Sequence, residues 1–283
     1  MAPGVRTRLA ELAGLPDSQV DLAAGALLIA GEEYPHLALA PYLRRLDVLA
    51  ERVRDRLAGE TAPLIVLQEL CRVLFQEEGF RGNADAYYDP RNSFLNDVLD
   101  RRLGIPITLG IVMLEVGWRV DLPLSGINFP GHFLVRYDGQ LVRLLVDPFD
   151  GGRVRWEDQG QELLDRVYGG MVRMRAEFLR PATRTDILAR VLTNLKSIYL
   201  NTRDDDRALA AVDRILLLRP AAATERRDRG LLLARSGRSD EAVVELERYL
   251  DGAPAAADAP RVRSLIQDLS GIQDLSDEED RGR

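Results

Sequence analysis

The sequence is poor in the residues that build disulfide frameworks and histidine metal sites. Its 283 residues include one cysteine, Cys71, and two histidines, His36 and His132. A single thiol excludes an internal disulfide. Two histidines are also too few to favour a histidine-based metal centre. We therefore expect no metal ion.

Basic residues, long apolar runs and nucleotide-binding motifs are lacking as well. The 38 Lys and Arg residues are outnumbered by 45 Asp and Glu, and the resulting charge of −7 disfavours a general nucleic-acid binder. The longest apolar stretch, around Leu22–Gly31, is about half of the ~20 residues that cross a bilayer. The first residues lack the apolar core of a signal peptide, and no phosphate-loop or dinucleotide spacing is present. We expect a cytoplasmic protein without a cofactor that binds neither nucleic acid nor membrane.

What is present is a soluble, globular composition with helical spacing through its first 120 residues. The chain is 46% hydrophobic and 29% charged. Asn92 or Ser93 is expected to cap a helix over Phe94–Arg102. The next helix, Ile107–Val120, is apolar nearly all round, so we expect it to be buried at the centre of the domain.

The pattern then changes to the alternation of a β-hairpin. Apolar and polar residues alternate from His132, and Asp138-Gly139 has the composition of a two-residue turn. Such a turn pairs His132 with Leu145 and brings Asp147 to the same face as a diagonal neighbour. An aspartate there can hold one imidazole nitrogen and fix the tautomer. The sequence predicts a hydrogen bond between His132 and Asp147, either in a functional cleft or as a purely structural contact.

Three segments resemble the SirB-type branch of the transglutaminase-like superfamily. They read NSFLNDVLDRRLGIPITLGIVMLEVGWRVDLPL, INFPGHFLVRY and LVDPFDGG, and the resemblance covers roughly Val20–Gly152. It implies an α+β, papain-like core with helical N-terminal additions, in which cysteine, histidine and aspartate act in that chain order. His132 matches the histidine of the superfamily and Asp147 matches its aspartate. The family name also connects it with gene regulation in enteric bacteria.

The cysteine of that set is missing. The resemblance places it near Pro106–Thr108, where no cysteine occurs, and Cys71 fits a small buried hydrophobic residue better than a nucleophile. Thr108 and Ser93 carry hydroxyl groups that need a strong base for activation. We interpret Thr108 as a buried side chain bonded to the backbone and Ser93 as a helix cap. Thr108 remains a candidate, together with His132 and Asp147, for a catalytic or vestigial site.

The C-terminal part repeats itself with a period of 34 residues. Ala208 and Pro220 recur as Ala242 and Pro254, and this is the period of the tetratricopeptide helix pair. We therefore expect a transglutaminase-like domain over residues 1–181, with Pro181 at its boundary. All-α tetratricopeptide-like repeats with a capping helix are expected over 182–270, and a disordered tail over 271–283.

Together these features favour binding over catalysis. A core that keeps the histidine and aspartate but lacks the thiol is expected to bind a peptide or protein partner, with the repeats as a second docking groove. The alternative is a hydrolase or amide-transfer enzyme. In that case His132 is the base, Asp147 orients it, and Thr108, Ser93 or an activated water replaces the cysteine.

Overall fold

The computed structural model describes residues 3–281, with side chains from residue 4 to residue 271. It forms two compact units, Met1–Val191 and Leu192–Arg283. The division lies ten residues beyond the boundary that we predicted at residue 181. Our prediction of a disordered tail over 271–283 falls almost entirely outside the described side chains.

The first unit combines helices with two small sheets. Its helices are α1 (Pro3–Ala13), α2 (Leu22–Ala30), α3 (Leu39–Leu57), α4 (Pro63–Cys71), α5 (Leu95–Arg101), α6 (Pro106–Arg119) and α7 (Gly160–Tyr168). Its strands are β1 (Arg81–Gly82), β2 (Leu103–Gly104), β3 (Leu124–Ile127), β4 (Leu134–Asp138), β5 (Arg143–Asp147) and β6 (Arg153–Trp156). Within residues 3–281, no helix is both long and apolar enough to span a membrane.

The central helix of this unit is α6, as the apolar composition of residues 107–120 predicts. Pro106 occupies its first turn, where a missing N–H costs nothing, and every residue from Pro106 to Gly117 is buried. Gly110 leaves room for Phe133, which immediately precedes β4, and Gly117 leaves room for Leu124 of β3. A Cβ at either glycine would collide with these side chains. The sheet therefore packs closely on α6.

The start of α5 differs from the prediction. Pro90–Asn92 forms a 3₁₀ turn, and the N–H of Ser93 closes it by donating to the carbonyl of Pro90. The N-cap of α5 is consequently Phe94, which makes no side-chain capping bond. Neither Asn92 nor Ser93 caps the helix, because both belong to the preceding turn.

The larger sheet is antiparallel, in the order β3-β4-β5-β6. The predicted register of its hairpin is wrong. Val135 pairs with Val146, whereas a two-residue turn would pair it with Val142. The reason is the loop, which spans residues 139–142 because pairing stops at Asp138 and Arg143. The register shifts by four residues, an even number, so each side chain keeps its predicted face.

Helices and loops cover both faces of this sheet. Leu134 and Leu145, on the face away from α6, belong to a buried cluster with Leu163 and Leu164 of α7. In the following segment, Arg153–Trp156 forms β6 and α7 begins at Gly160. Coverage by α7 explains why residues on the His132 face are buried instead of solvent-exposed.

The second unit consists of helix pairs. Its helices are α9 (Asp205–Leu218), α10 (Ala223–Arg235), α11 (Ser239–Gly252) and α12 (Ala259–Arg281), and α8 (Arg184–Asn201) contains the boundary between the units. The bounds of α9 and α11 are displaced by 34 residues at both ends, which confirms the repeat. Ala208 and Ala242, each the fourth residue of its helix, are fully buried.

A buried ion cluster joins two helices of the second unit. Lys196 is the only lysine of the chain. Its Nζ lies 2.7 Å from a carboxylate oxygen of Glu225 and 2.8 Å from Asp228. Both carboxylates raise the pKa of Lys196 against the opposing effect of burial, so the ammonium stays charged inside the repeat.

Candidate functional site

His132 lies in a tight turn that leads into β4. Its main-chain N–H donates to the carbonyl oxygen of Phe129 at 3.0 Å. Gly131 has a φ of +68°, a conformation that glycine adopts without strain. A Cβ at this position would also collide with Val167 of α7. The local chain therefore fixes the imidazole at the start of the strand, where its side chain is only 16% exposed.

Asp147 lies at the end of β5, facing His132. Its Oδ1 is 2.8 Å from Nε2 of His132 and accepts the main-chain N–H groups of Phe149 and Asp150 at 3.1 and 3.2 Å. Continuing the observed register by one residue places Asp147 opposite Leu134, two positions from His132. The two side chains are thus diagonal neighbours, as predicted. Asp147 lies two residues before the position opposite His132, whereas the predicted register placed it two residues beyond.

This pairing determines which imidazole nitrogen is free for chemistry. An ionised carboxylate can only accept hydrogen bonds, so in neutral His132 the proton resides on Nε2 and points to Asp147. Nδ1 then carries the lone pair, and no described side chain is hydrogen-bonded to it. The pair can therefore accept a proton or a ligand's N–H group at Nδ1.

Aromatic rings extend from His132 to the surface. The Phe149 ring lies perpendicular to the imidazole, with the centroids 6.2 Å apart, and Tyr87 contacts Phe149 edge-on at 5.9 Å. Tyr88 continues the series at 5.4 Å from Tyr87 and is 68% exposed. These rings give the site a partly apolar wall, which we call the aromatic wall (Tyr87, Tyr88 and Phe149).

The loop that carries Tyr87 is held by buried amide side chains. Asn83 Nδ2 donates to Asn92 Oδ1 at 3.0 Å, and Asn92 Nδ2 donates to the carbonyls of Ala86 and Tyr87. Asn92 is completely buried. A buried amide with satisfied donors and acceptor holds a loop in one conformation, so the position of Tyr87 is determined by its own loop.

Arg190 of α8 lies behind His132. Its guanidinium donates to the main-chain carbonyls of Phe129 and His132, the latter at 2.7 Å, and to Asn128 Oδ1. Burial lowers the pKa of Arg190, and the nearby phenol groups of Tyr87 and Tyr168 oppose this effect. Sequence reasoning missed Arg190, because it lies outside the resembling segments, 58 residues beyond His132.

Thr108 is buried at the start of α6, where the resemblance placed the missing cysteine. Its hydroxyl donates to the carbonyl of Asn92 at 2.6 Å and accepts the N–H of Ile105 at 3.1 Å. Among the described residues no hydrogen bond joins Thr108 to His132. His132 is connected to the start of α6 only indirectly. The Phe149 ring beside His132 lies over Gly82, and Gly82 pairs with Gly104 of β2, just before α6.

The other two candidate nucleophiles are also enclosed. Ser93 is 2% exposed, and its Oγ has no hydrogen-bond partner. Cys71 is partly buried beside Gly152, and burial raises the pKa of its thiol to about 12. Such a thiol is almost entirely protonated at neutral pH and is a poor nucleophile.

Metal-binding side chains are not clustered in the described part of the chain. No three His, Cys, Asp or Glu residues among them are arranged to hold an ion. The chemistry that these residues offer is therefore that of His132, Asp147, Arg190 and the aromatic wall.

Two protein-family models match successive parts of the chain. Residues 40–193 match the model of the transglutaminase-like superfamily, and residues 195–267 match a tetratricopeptide repeat model. The chain belongs to the transglutaminase-like superfamily and carries a tetratricopeptide repeat region.

Relatives with the same extent occur in several bacteria. A UPF0162 protein of Xylella fastidiosa strain 9a5c is 41% identical over 92% of this chain and 93% of its own length. A UPF0162 protein of Pseudomonas aeruginosa is 34% identical over 81% and 83%. Protein SirB1 of Salmonella typhimurium is 25% identical over 85% and 88%. The similarity therefore includes both units.

Proposed function

We propose that the protein is a non-catalytic binding module. Its transglutaminase-like unit binds an extended peptide or an amide-bearing side chain at His132 and Asp147, and its helical repeats dock a protein partner. The proposal includes a regulatory role and a cytoplasmic location. The observation that carries it is the combination of an intact His132–Asp147 pair with a Thr108 hydroxyl, at the position of the missing thiol, whose proton is donated to a main-chain carbonyl.

The geometry of the pair supports ligand binding. No described residue is hydrogen-bonded to Nδ1 of His132, and the aromatic wall beside it offers flat apolar surface. A peptide group has an N–H donor and a planar face, and small-molecule and peptide sites commonly combine a few directed polar groups with aromatic side chains. Tetratricopeptide repeats, for their part, bury a common core and leave extended surfaces for other proteins.

A peptide-display experiment tests the cleft. Short random peptides displayed on phage are selected on the full chain and on two variants, His132→Asn and His36→Asn. His36 is exposed and is the other histidine of the chain, so its replacement is the matched control. We expect a peptide motif to be enriched on the wild type and on His36→Asn but lost on His132→Asn. Enrichment that survives His132→Asn, or the absence of any enrichment, contradicts a binding role for the cleft.

A hydrolase or amide-transfer enzyme is the second candidate, favoured by the free Nδ1 of His132. In such an enzyme His132 would withdraw a proton from a water molecule, with Asp147 stabilising the resulting imidazolium. Ammonia release from glutamine-containing peptides measures this activity directly. We expect none. Turnover that is lost in His132→Asn and retained in Cys71→Ser would establish the enzyme and overturn the non-catalytic proposal.

A further inference from the structure

Arg190 is a half-buried cation whose hydrogen-bond partners among the described residues are all neutral. Its acceptors are the amide oxygen of Asn128 and two main-chain carbonyls. In the part of the chain that the structure describes, no carboxylate lies within ion-pair distance of its guanidinium. The ionisable side chains that affect the pKa of Arg190 are the phenols of Tyr87 and Tyr168. Buried charges in proteins are usually paired, so this arrangement lacks its expected counter-ion.

The guanidinium also retains an unused donor. The Nη1 and Nη2 groups contact the three acceptors, whereas the Nε–H group has none among the described residues. A free Nε–H on a charged guanidinium can donate one charge-assisted hydrogen bond to a carboxylate oxygen.

The environment of Arg190 is that of the candidate site. One Nη2 bond goes to the carbonyl of His132 itself. The phenol of Tyr87 lies near Arg190. Burial raises the pKa of Tyr87, and the positive charge of Arg190 acts in the opposite direction. Tyr87 in turn contacts Phe149, whose ring faces the imidazole. Arg190, Tyr87 and His132 therefore border one region of the first unit.

Asp147, the negative charge of this region, is already compensated. Its Oδ1 accepts one bond from His132 and two from main-chain N–H groups. The nearby Asp150 is paired with Arg155 at 3.1 Å. Neither carboxylate is left to neutralise Arg190, whose charge is available to a ligand.

We propose that the region around His132 binds a carboxylate-bearing peptide group, with Arg190 as the anion-binding residue and Tyr87 beside it. This rests on the proposed binding function and specifies its ligand class. Two sources supply the same chemistry: the side chain of an acidic residue and the free carboxyl terminus of a peptide.

Nuclear magnetic resonance of the two histidines tests the proposal on the full chain. The imidazole signals of His132 are assigned by comparison with His36→Asn. They are then followed during titration with N-acetylglutamate methylamide and with its neutral isostere N-acetylglutamine methylamide. N-acetylalanine and N-acetylalanine methylamide form the corresponding pair for a carboxyl terminus. Inorganic phosphate is the third anion.

We expect at least one carboxylate to bind about tenfold more tightly than its amide counterpart, since one charge-assisted hydrogen bond contributes about that ratio. The pair that shows the preference identifies the source. Arg190→Met should abolish the preference. Arg153→Met is the control and should retain the preference. Arg153 lies on β6, where it pairs with Asp147 of β5, and its side chain is exposed.

The comparison of carboxylates with amides is made first in the wild type, so that it does not depend on whether a variant folds. Arg190→Met removes several bonds to the turn at His132, so Arg190→Lys, which keeps the charge, is measured as well and should retain a weaker preference. Equal affinity for carboxylates and amides in the wild type overturns the inference but leaves the binding function intact. The inference is also overturned if no carboxylate changes the imidazole chemical shifts of His132, or if only phosphate does. The peptide-display experiment then tests the binding function separately.

Discussion

Phe149 lies directly against the main chain of Gly82. A Cβ built on Gly82 would be 2.5 Å from both Cδ2 and Cε2 of the Phe149 ring. Gly82 thus leaves the space in which this ring stands edge-on to His132, and β1 and the histidine turn are connected through one aromatic side chain.

Replacing Gly82 with alanine should displace the Phe149 ring. We expect a loss of about 1–3 kcal/mol in the free energy of unfolding, as for other overpacked sites, and a changed chemical shift of the His132 imidazole. Gly4→Ala is the control, since no atom lies within 4 Å of a Cβ there. Equal stability of Gly82→Ala and Gly4→Ala, measured by urea unfolding, would show that the ring does not occupy this position.

Thr108 should behave as a structural residue. Thr108→Val keeps the shape but leaves the N–H of Ile105 and the carbonyl of Asn92 without their partner, at a cost of about 1–3 kcal/mol for buried unsatisfied groups. Thr108→Ser keeps the hydroxyl and should lose clearly less stability. Urea unfolding of both variants measures the difference, and a serine variant as unstable as the valine variant contradicts the assigned bonds.

Glu115 predicts a pH dependence of stability. Burial raises its pKa above the ordinary 4.5, and nearby Asp21 adds to this, although Arg119 and the N–H of Ala23 act in the opposite direction. A carboxyl group whose folded pKa is raised contributes stability at low pH that is lost as the pH rises through that pKa.

The comparison with Glu115→Gln isolates this effect, because glutamine keeps an acceptor for Ala23 and does not titrate. As the pH rises above the ordinary glutamate pKa of 4.5, the wild type should lose stability relative to the variant. Chemical unfolding at a series of pH values measures the difference. A difference that stays constant, or that grows in favour of the wild type, would contradict the raised pKa.

The helical repeats predict overpacking at two equivalent positions. Ala208→Leu and Ala242→Leu should each cost roughly 1–3 kcal/mol, because both alanines are fully buried at the same place in their helices. Ala255→Leu, at an exposed position of the same unit, is the control. Thermal unfolding compares the three, and unchanged melting temperatures for both buried sites would refute the packing.

Cys71 should be almost inert towards alkylation in the folded protein. A thiol pKa of about 12 in place of 9.0 lowers the thiolate fraction at neutral pH by about a thousandfold. Leu141→Cys in a Cys71→Ser background provides a fully exposed thiol as the reference. Comparable iodoacetamide labelling rates for the two folded proteins would show that Cys71 is neither enclosed nor protonated.

The sequence predicted the pairing of His132 with Asp147 through a register that was wrong by four residues. Side chains alternate with a period of two, so an even error preserves the face of every residue. The loop length was the weak step, because Asp-Gly suggested a two-residue turn whereas the loop has four residues, 139–142. Periodicity therefore predicted the face of each residue, and only the structure determined which residues are opposite each other.

The remaining parts of the site depend on contacts that no local pattern contains. Tyr87 and Arg190 are 45 and 58 residues from His132 along the chain and are brought to it by a buried asparagine network and by α8. Arginine is abundant in this sequence, so its presence carries little information about any one position. The signal that could have indicated Asn92 is its place in the first resembling segment, two residues before Phe94.

The burial of Lys196 has a chemical consequence for the whole chain. Because it is the only lysine and its ammonium group is enclosed by Glu225 and Asp228, the folded protein exposes no lysine amine. Isopeptide bonds to a lysine side chain, lysine acetylation and lysine-directed crosslinking all require such a group. The folded protein thus offers no lysine side chain through which its surface could be modified.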